Sequence, residues 1–453
     1  MTASRRRFLA ELGAALLAGA AGGERDALAM GRTPLGGRLS LHVPWPASSI
    51  DPHGLADPGG ALFGAAIADS VYAIDPSSGM PYPTLAASMP TREGADTIVR
   101  LREAMRTARL AGLDGQDLIA SVERARRRGA AGVLVQVPRP TPHKSDPLAV
   151  NFGAVDPGYL ARALASPLVA LLPRSFDPGR PDGTGPFKAE IVPGGITLSR
   201  NVNAARGAAF LDGLDIAPAP DLQTSLRSFE AERDDIGWLG LGLHADRKGA
   251  VRFDLGRAAF IVLVTSPDAG SAGAPGMAQR IADALPPERL AHLGLGPLPP
   301  AAGDPGWTGP PAELLVDAAC PHLVEVAGAV APILSRPSHE VAVAAIPRAD
   351  IPGRFKGKPA LAIQLVRPAG PTPLHTLLSL ATAEDAARGR DIGRSPPKLA
   401  GNPSPRSMTG TLRVGVIGEL RIAGGVIPDV VFARNLAGDG WDLGATYRRL
   451  PRR

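Results

Sequence analysis

Short apolar segments of strand length recur along the second half of the chain, with helix-length segments between them. Residues 258–265, 314–317 and 361–366 are almost wholly apolar, and helix-length segments lie at 322–334 and 374–388. A strand, a helix and a second strand joined by a right-handed crossover place both strands in one sheet. The pattern therefore predicts an α/β region with a mostly parallel sheet.

The first half of the chain is predicted to contain shorter elements. Alternating residues predict a strand at 37–44, an apolar run predicts a buried strand at 166–172, and a Pro-Gly-Gly sequence predicts a hairpin turn within 187–200. Residues 114–127 begin with Asp and end with Arg, which is typical of a helix whose charges complement its dipole. The arginine run at 124–128 is interpreted as the solvated C-terminal end of that helix.

Composition and charge exclude several classes of protein. The chain has 453 residues, of which 44% are hydrophobic and 20% charged, so we expect it to fold rather than remain disordered. Its net charge of +6 arises from 49 basic and 43 acidic residues. The excess is small and the basic run contains no aromatic residues, so no nucleic-acid partner is predicted. The lone cysteine, Cys320, excludes a disulfide within the chain and a cysteine-pair zinc site.

Sequence motifs for catalysis are also missing. The chain contains no G-x-S-x-G turn, no H-E-x-x-H pair and no G-x-x-x-x-G-K-[ST] loop. These are the patterns expected of a serine hydrolase, a zinc protease and a nucleotide-binding enzyme. We therefore predict no enzymatic activity, no cofactor and no metal site.

The N-terminus carries a separate signal. Ser4 precedes the adjacent pair Arg5 and Arg6, and after one further residue comes Phe-Leu; a small apolar stretch at 12–23 leads to Ala-x-Ala at 27–29. The combination resembles a twin-arginine export signal, which a receptor reads and which does not anchor the protein. We predict cleavage after residue 29 and a periplasmic or extracytoplasmic location. The alternative is a cytosolic helix with a basic start.

Short motifs in the mature region follow the order seen in one family. They are Asp-Pro-His at 51–53, Tyr-Pro-Thr-Leu-Ala at 82–86, Val-Arg-Leu-Arg-Glu at 99–103, an acidic helix start within 113–125, and Gly-Thr-Gly-Pro-Phe at 183–187. In this order they resemble the extracytoplasmic solute-binding proteins of ABC importers, in the peptide- and nickel-binding branch (solute-binding protein family 5). Beyond residue 265 the resemblance is limited to the order of elements.

The resemblance implies an α/β fold of the periplasmic-binding-protein-like type II, with two lobes of mixed sheets joined by hinge strands. The predicted divisions are a signal peptide at 1–29, a first lobe at 35–260 with a shortened subdomain near 70–150, a second lobe at 261–410, and a return to the first lobe at 411–453. The hinge strands are predicted at 258–265 and 412–420.

The resemblance also implies a function. A protein of this family captures a peptide or similar small solute and delivers it to an ABC permease in the membrane, and we expect a monomer. One alternative is a degenerate binding protein that acts as a sensor or scaffold without transport, which the shortened subdomain favours. The other is an exported α/β enzyme, which a nucleophile–base pair within hydrogen-bond reach would favour.

Five residues are predicted ligand contacts. Trp45 and Trp238 are expected near the cleft between the lobes, where an aromatic face could stack on a ligand, or alternatively in the core of a lobe. Asp51 and His53 belong to the Asp-Pro-His loop, where Asp51 could instead cap the following turn. Asp235 could pair with a ligand amine or lie on the solvated surface. Trp307 and Trp441 are predicted to be packing anchors at the surface.

Overall fold

The computed structural model of the chain describes residues 35–238, 247–304, 307, 312–337, 340–355, 357–434 and 440–449. The predicted export signal, with Arg5 and Arg6, lies outside the described residues. The helices are α1 (Pro58–Ile67), α2 (Gly115–Arg127), α3 (Pro157–Ala163), α4 (Leu222–Glu230), α5 (Met277–Asp283), α6 (Pro287–Leu290), α7 (Pro321–Leu334), α8 (Ile351–Arg354), α9 (Pro373–Glu384) and α10 (Ala386–Arg394).

The strands are short except for two long ones, β12 and β17. In chain order they are β1 (Arg38–Val43), β2 (Tyr72–Ile74), β3 (Pro81–Pro83), β4 (Thr91–Glu93), β5 (Asp96–Arg100), β6 (Thr141–Pro142), β7 (Ala149–Asn151), β8 (Phe187–Val192), β9 (Gly195–Arg200), β10 (Gly213–Pro218), β11 (Ile236–Trp238), β12 (Val251–Thr265), β13 (Leu295–Gly296), β14 (Ala312–Asp317), β15 (Val341–Ile346), β16 (Ala360–Val366), β17 (Val414–Val426), β18 (Val430–Arg434) and β19 (Trp441–Arg448).

The largest sheet has the strand order β11-β17-β12-β16-β14-β15, with β13 also paired to β17. The predicted hinge strands, which fall in β12 and β17, are antiparallel neighbours. Strand β14 is parallel to both β15 and β16, but β16 is antiparallel to β12. The prediction of a mostly parallel sheet is therefore wrong, because crossovers generate only the β15-β14-β16 portion and the long strands β12 and β17 join in the opposite sense.

The second half of β12, residues 258–265, is buried on both faces of the large sheet. Along β12, Ile261 and Leu263 belong to one hydrophobic core, whereas Phe260, Val262 and Val264 belong to another. Successive side chains of a strand point to opposite faces, so a strand buried on both faces must be apolar at every position. This explains why the segment lacks the polar alternation of a surface strand.

A four-stranded sheet is built by the first half of the chain in the order β1-β10-β9-β8. The hairpin predicted within 187–200 is confirmed as β8 and β9, with Ile191 opposite Ile196. Strand β1 pairs parallel to β10. A separate small sheet, β4-β5-β7-β6, packs with α2 and α3 around the second hydrophobic core.

Two predicted elements differ in the structure, and each difference has a local cause. The predicted strand at 166–172 is a 3₁₀ helix at Pro167–Val169: Pro167 cannot donate to a strand ladder, and the side chain of Ser166 accepts a hydrogen bond from the amide of Leu168. The predicted helix at 374–388 is two helices, α9 and α10, because Asp385 has extended backbone and its side chain starts a new helix by accepting from Ala387.

The start of α2 is capped by side-chain hydrogen bonds whose contribution to stability can be measured. The Asp114 side chain accepts hydrogen bonds from the amides of Gln116 and Asp117, and the Asp117 side chain accepts from the amide of Asp114. We expect Asp114→Ala to lower the free energy of unfolding by about 1 kcal/mol, measured by urea denaturation. Asp114→Asn keeps an acceptor at the cap and should retain most of that stability, so an equal loss in both variants would contradict the capping role.

Candidate functional site

Three of the four tryptophans meet in one buried group. The ring centroid of Trp238 is 5.7 Å from that of Trp45 and 5.5 Å from that of Trp441, and His322 lies 6.0 Å from Trp45. The exposed fractions are 2% for Trp45, 0% for Trp238 and 5% for Trp441. We call Trp45, Trp238, Trp441 and His322 the aromatic cluster.

The cluster forms where the two predicted lobes meet. Trp45 follows β1, Trp238 ends β11 and Trp441 begins β19, whereas His322 lies in the first turn of α7. The amide of His322 donates a hydrogen bond to the carbonyl of Pro44, next to Trp45. One continuous hydrophobic core contains residues from both predicted lobes, among them Leu39 and Leu314.

Three polar atoms of the cluster find no hydrogen-bond partner among the described residues. They are the indole Nε1 of Trp45, the indole Nε1 of Trp238 and Nδ1 of His322. By contrast, Trp441 Nε1 donates to the carbonyl of Leu62. A buried polar atom without a partner costs about 1–3 kcal/mol unless a ligand or a water satisfies it. The same holds for Nε1 of Trp307, outside the cluster, which also lacks a partner among the described residues.

The protonation state of His322 follows from its surroundings. Its Nε2 lies 2.7 Å from the carbonyl oxygen of Leu293, so Nε2 must carry the proton and Nδ1 is an acceptor. Burial lowers the pKa of His322 to about 4, which keeps the ring neutral at pH 7. The cluster thus presents two N–H donors and one acceptor within apolar walls.

The Asp-Pro-His loop forms a second, charged group. The Asp51 carboxylate accepts hydrogen bonds from both Nη atoms of Arg124, at 2.7 and 3.0 Å, and from the amide of His53. Burial raises the pKa of Asp51, but the hydrogen bonds and charge of Arg124 outweigh it and hold that pKa below its usual value. His53 is buried, and its Nε2 lies 2.8 Å from the carbonyl of Ala170. Asp51 therefore has the turn-capping contact predicted as its structural role.

Arginines from the second half of the chain close around the same loop. Arg367 is buried and donates to the carbonyl of Pro52, and burial lowers its pKa to about 10. Arg348 donates to the carbonyl of Ala56 and to the Asp57 carboxylate. The loop is thus a charged joint between the predicted lobes, with its carboxylates occupied by arginines of the protein.

Asp235 bonds to the first strand. Its Oδ2 accepts from the amide of Ser40 at 3.0 Å and from the Ser40 hydroxyl at 3.2 Å, and Arg448 lies 3.9 Å from its Oδ1. Its carboxylate is therefore engaged within the protein. A ligand role for Asp235 stays a prediction, as it does for the other four predicted contacts.

A serine, a histidine and an aspartate do come together, at Ser228, His42 and Asp234. Both partners meet the same ring nitrogen: His42 Nδ1 is 3.1 Å from the Ser228 hydroxyl and 2.9 Å from the Asp234 carboxylate. A catalytic triad needs the serine on one nitrogen and the aspartate on the other. Because Nδ1 donates to Asp234, it cannot accept the serine proton, so this group lacks the geometry of an acyl-transfer enzyme.

Metal ligation has no evident site in the part of the chain that the structure describes. No group of three or more histidine, cysteine, aspartate or glutamate side chains there is placed to hold a metal ion.

No described helix is both long and apolar enough to cross a membrane.

Comparisons with solved structures cover nearly the whole chain. The oligopeptide-binding protein AppA of Bacillus subtilis, in complex with a nonapeptide, aligns with a TM-score of 0.64 at 10% identity, over 92% of this chain and 100% of its own. The ABC transporter-associated periplasmic binding protein DppA of Helicobacter pylori, in complex with the peptide STSA, aligns with a TM-score of 0.67 at 13% identity, over 92% and 99%. The chain has the type II periplasmic-binding-protein fold.

A third structure widens the range of ligands seen on this fold. NikA of Brucella suis, in complex with Fe(III)-EDTA, aligns with a TM-score of 0.61 at 16% identity, over 91% of this chain and 100% of its own. No protein-family model matches the sequence, and no curated protein matches it significantly. The predicted fold is confirmed at the level of architecture, and the lobe boundaries stay predictions.

Two of the five predicted contact residues, Trp45 and Trp238, are brought together. Asp51 and His53 lie in the charged joint, and Asp235, directly before β11, accepts hydrogen bonds from Ser40 of β1. Sequence reasoning missed Trp441 and His322. Trp441 was expected at the surface, and Trp307 was too, yet both are buried. The sequence did contain a signal for His322. It lies at the start of an apolar helix, where a histidine is expected to be buried and then needs a carbonyl as hydrogen-bond partner.

Histidine burial predicts acid sensitivity. A histidine whose pKa is about 4 in the folded chain and 6.5 when exposed binds fewer protons in the folded chain than in the unfolded chain. Its contribution to the free energy of unfolding is therefore fully present above about pH 6.5 and is lost as the pH drops towards 4. Burial of His322 should account for about 3 kcal/mol of this loss. His322→Gln keeps a donor for Leu293 and should remove the share of the dependence that His322 contributes, measured as urea midpoints from pH 7 to 4. Burial also lowers the pKa of His53 and of His375 to about 4, so their shares should remain. The exposed His292→Gln is the control and should leave it unchanged.

Proposed function

We propose that this chain is a solute-binding protein whose ligand site is the aromatic cluster. The observation that carries the proposal is the alignment of nearly the full chain with peptide-binding proteins of the same fold. Ligands of two-lobed proteins bind where the lobes meet, and the aromatic cluster joins residues of both predicted lobes.

The chemistry of the cluster favours a ligand with an apolar or aromatic group and polar edges. The indole rings offer faces and edges for stacking. The unpartnered Nε1 atoms of Trp45 and Trp238 offer donors to a carbonyl or carboxylate, and Nδ1 of His322 offers an acceptor to an N–H group. A short peptide carries all three kinds of group, so a peptide or similar small solute is the class we propose.

Access to this site requires movement. The tryptophans are almost fully enclosed, so a ligand could enter only if the predicted lobes separated and then closed again, as in other hinged binding proteins. The paired strands β12 and β17 are the proposed hinge, and the contacts of Arg348 and Arg367 with the 51–57 loop are the ones that would break on opening.

A degenerate binding protein is the second candidate. The favouring observation is that the tryptophans and His322 pack against one another within a continuous core. Such packing could replace a ligand and leave a sensor or scaffold. Binding measurements separate the two candidates.

The proposed setting is extracytoplasmic. Export by the twin-arginine route, delivery to an ABC permease, and a monomeric state without a cofactor or enzymatic activity complete the proposal. The fold of the binding proteins cited above supports this setting, and the N-terminal arginine pair supports the route.

Thermal-shift screening of the mature chain against peptide, nickel and sugar pools tests the binding proposal. A ligand at one hundred times its Kd adds about 2.7 kcal/mol to the free energy of unfolding, which raises the melting temperature by several degrees. We expect the peptide pool to do so. Stabilisation by none of the pools would favour the degenerate candidate.

The location of the site is tested by tryptophan variants. Trp45→Phe removes the unpartnered N–H but keeps an aromatic ring, and we expect it to weaken binding of the active peptide about tenfold, measured by calorimetry. Trp307→Phe makes the same change at a buried tryptophan outside the cluster and should leave the affinity unchanged. Equal losses in both variants would place the ligand elsewhere.

The export route has its own test. We expect Arg5→Lys with Arg6→Lys to hold the precursor in the cytoplasm, because the receptor distinguishes the guanidinium pair from ammonium groups. Cell fractionation and immunoblotting measure the exported fraction. Arg7→Lys leaves the pair intact and should be exported normally, and undiminished export of the double variant would overturn the route.

A further inference from the structure

A cleft of about 360 Å³ lies between the C-terminal half of α2 and the segment 172–176. Four arginines line it: Arg124, Arg127, Arg128 and Arg174, together with Phe176 and Glu123. The volume falls in the range of small-molecule sites. The basic run at 124–128, interpreted from sequence as a solvated helix end, is therefore one wall of a concave surface.

The two walls of the cleft are fixed to each other. The Ser121 hydroxyl donates to the carbonyl of Leu172 at 3.0 Å and accepts from the Leu172 amide at 2.9 Å. These paired hydrogen bonds tie α2 to the opposite wall, and both partners are buried. The cleft is thus held open by structure around it rather than by loosely placed surface side chains.

Two of the arginines are oriented in advance. Arg124 is held by both oxygens of Asp51 and lies 5.1 Å from the centre of the Phe176 ring. Arg174 is held on the facing wall by two carboxylates, Asp117 at 3.2 Å and Asp114 at 3.5 Å. An oriented guanidinium loses little entropy on binding an anion, and its remaining N–H groups suit the two oxygens of a carboxylate or phosphate.

The other two arginines leave the cleft with an excess of positive charge. Arg127 and Arg128 are exposed, and no described carboxylate lies within ion-pair distance of either. Glu123 is the carboxylate of the lining, and its Oε1 faces Arg126 at 3.7 Å. The C-terminus of a helix carries only a fraction of a negative charge, which is too little to neutralise the full positive charges of these guanidiniums.

We propose that this cleft is a second binding site, for a small anion bearing a phosphate or paired carboxylates. The like charges of Arg127 and Arg128 are brought together in a cleft, which concentrates a positive field where an anion would sit. The site is separate from the aromatic cluster and does not depend on the function proposed for it. Phe176 and the apolar part of the lining would contact the uncharged portion of the ligand.

Calorimetric titration of the mature chain with inorganic phosphate and with citrate, at fixed ionic strength, tests the site. We expect saturable binding of at least one of the two anions, weakened at least about tenfold in the double variant Arg127→Ala with Arg128→Ala. Both side chains are exposed, so the variant should fold, which circular dichroism verifies. Arg127→Lys with Arg128→Lys keeps the charge but loses the planar fork, and its affinity should lie in between.

A matched control removes the same charge elsewhere. Arg280 in α5 and Arg289 in α6 are exposed helical arginines outside the cleft, and Arg280→Ala with Arg289→Ala should bind as the unaltered chain does. An equal loss in the control, or no saturable binding of either anion, would overturn the proposal. Binding to phosphatidylglycerol vesicles without binding of free anions would also overturn it, in favour of a membrane surface.

Discussion

The pairing of β12 with β17 is the constraint on which the rest of the structure depends. These strands lie side by side in the largest sheet, and side chains along β12 pack alternately into two hydrophobic cores. Polar residues cannot be placed in a strand buried on both faces without loss of stability. The apolar run of β12 is thus a consequence of its central position. The core on one face includes residues of the sheet β1-β10-β9-β8, and the core on the other face includes residues of the sheet β4-β5-β7-β6.

The aromatic cluster shows how a chain with few aromatic residues concentrates them. Only 4% of the residues are aromatic, and four are tryptophans; three of those four pack at the junction of the predicted lobes. Large rings fill the junction efficiently, but their N–H groups need partners. Two of the three indoles lack one, as does the separate Trp307, so it is the grouping of such atoms with His322 at the junction, and not the missing partner alone, that supports the ligand site proposed there.

Charged residues, unlike the tryptophans, are grouped as pairs of opposite sign around the Asp-Pro-His loop. Around the Asp-Pro-His loop, carboxylates and guanidiniums from distant parts of the chain neutralise one another: Asp51 with Arg124, and Asp57 with Arg348. Both carboxylates are buried, whereas Arg348 is partly exposed. Removing either arginine would leave a buried carboxylate uncompensated, so these pairs hold the loop in place. In the neighbouring cleft, Arg127 and Arg128 have no carboxylate within ion-pair distance among the described residues, and this excess of positive charge is the basis of the anion site proposed there.

Local signals in the amino-acid sequence were sufficient for the elements that depend on local hydrogen bonds. Asp114 starts α2 and the Pro-Gly-Gly turn closes the β8–β9 hairpin, and motif order was sufficient for the fold. Three features depended on contacts between residues far apart in the chain: the relative directions of the strands in the large sheet, the burial of Trp441 and the contact of His322 with Trp45. Such contacts are set by the packing of whole elements, and neither periodicity nor spacing along the chain encodes which distant faces will meet.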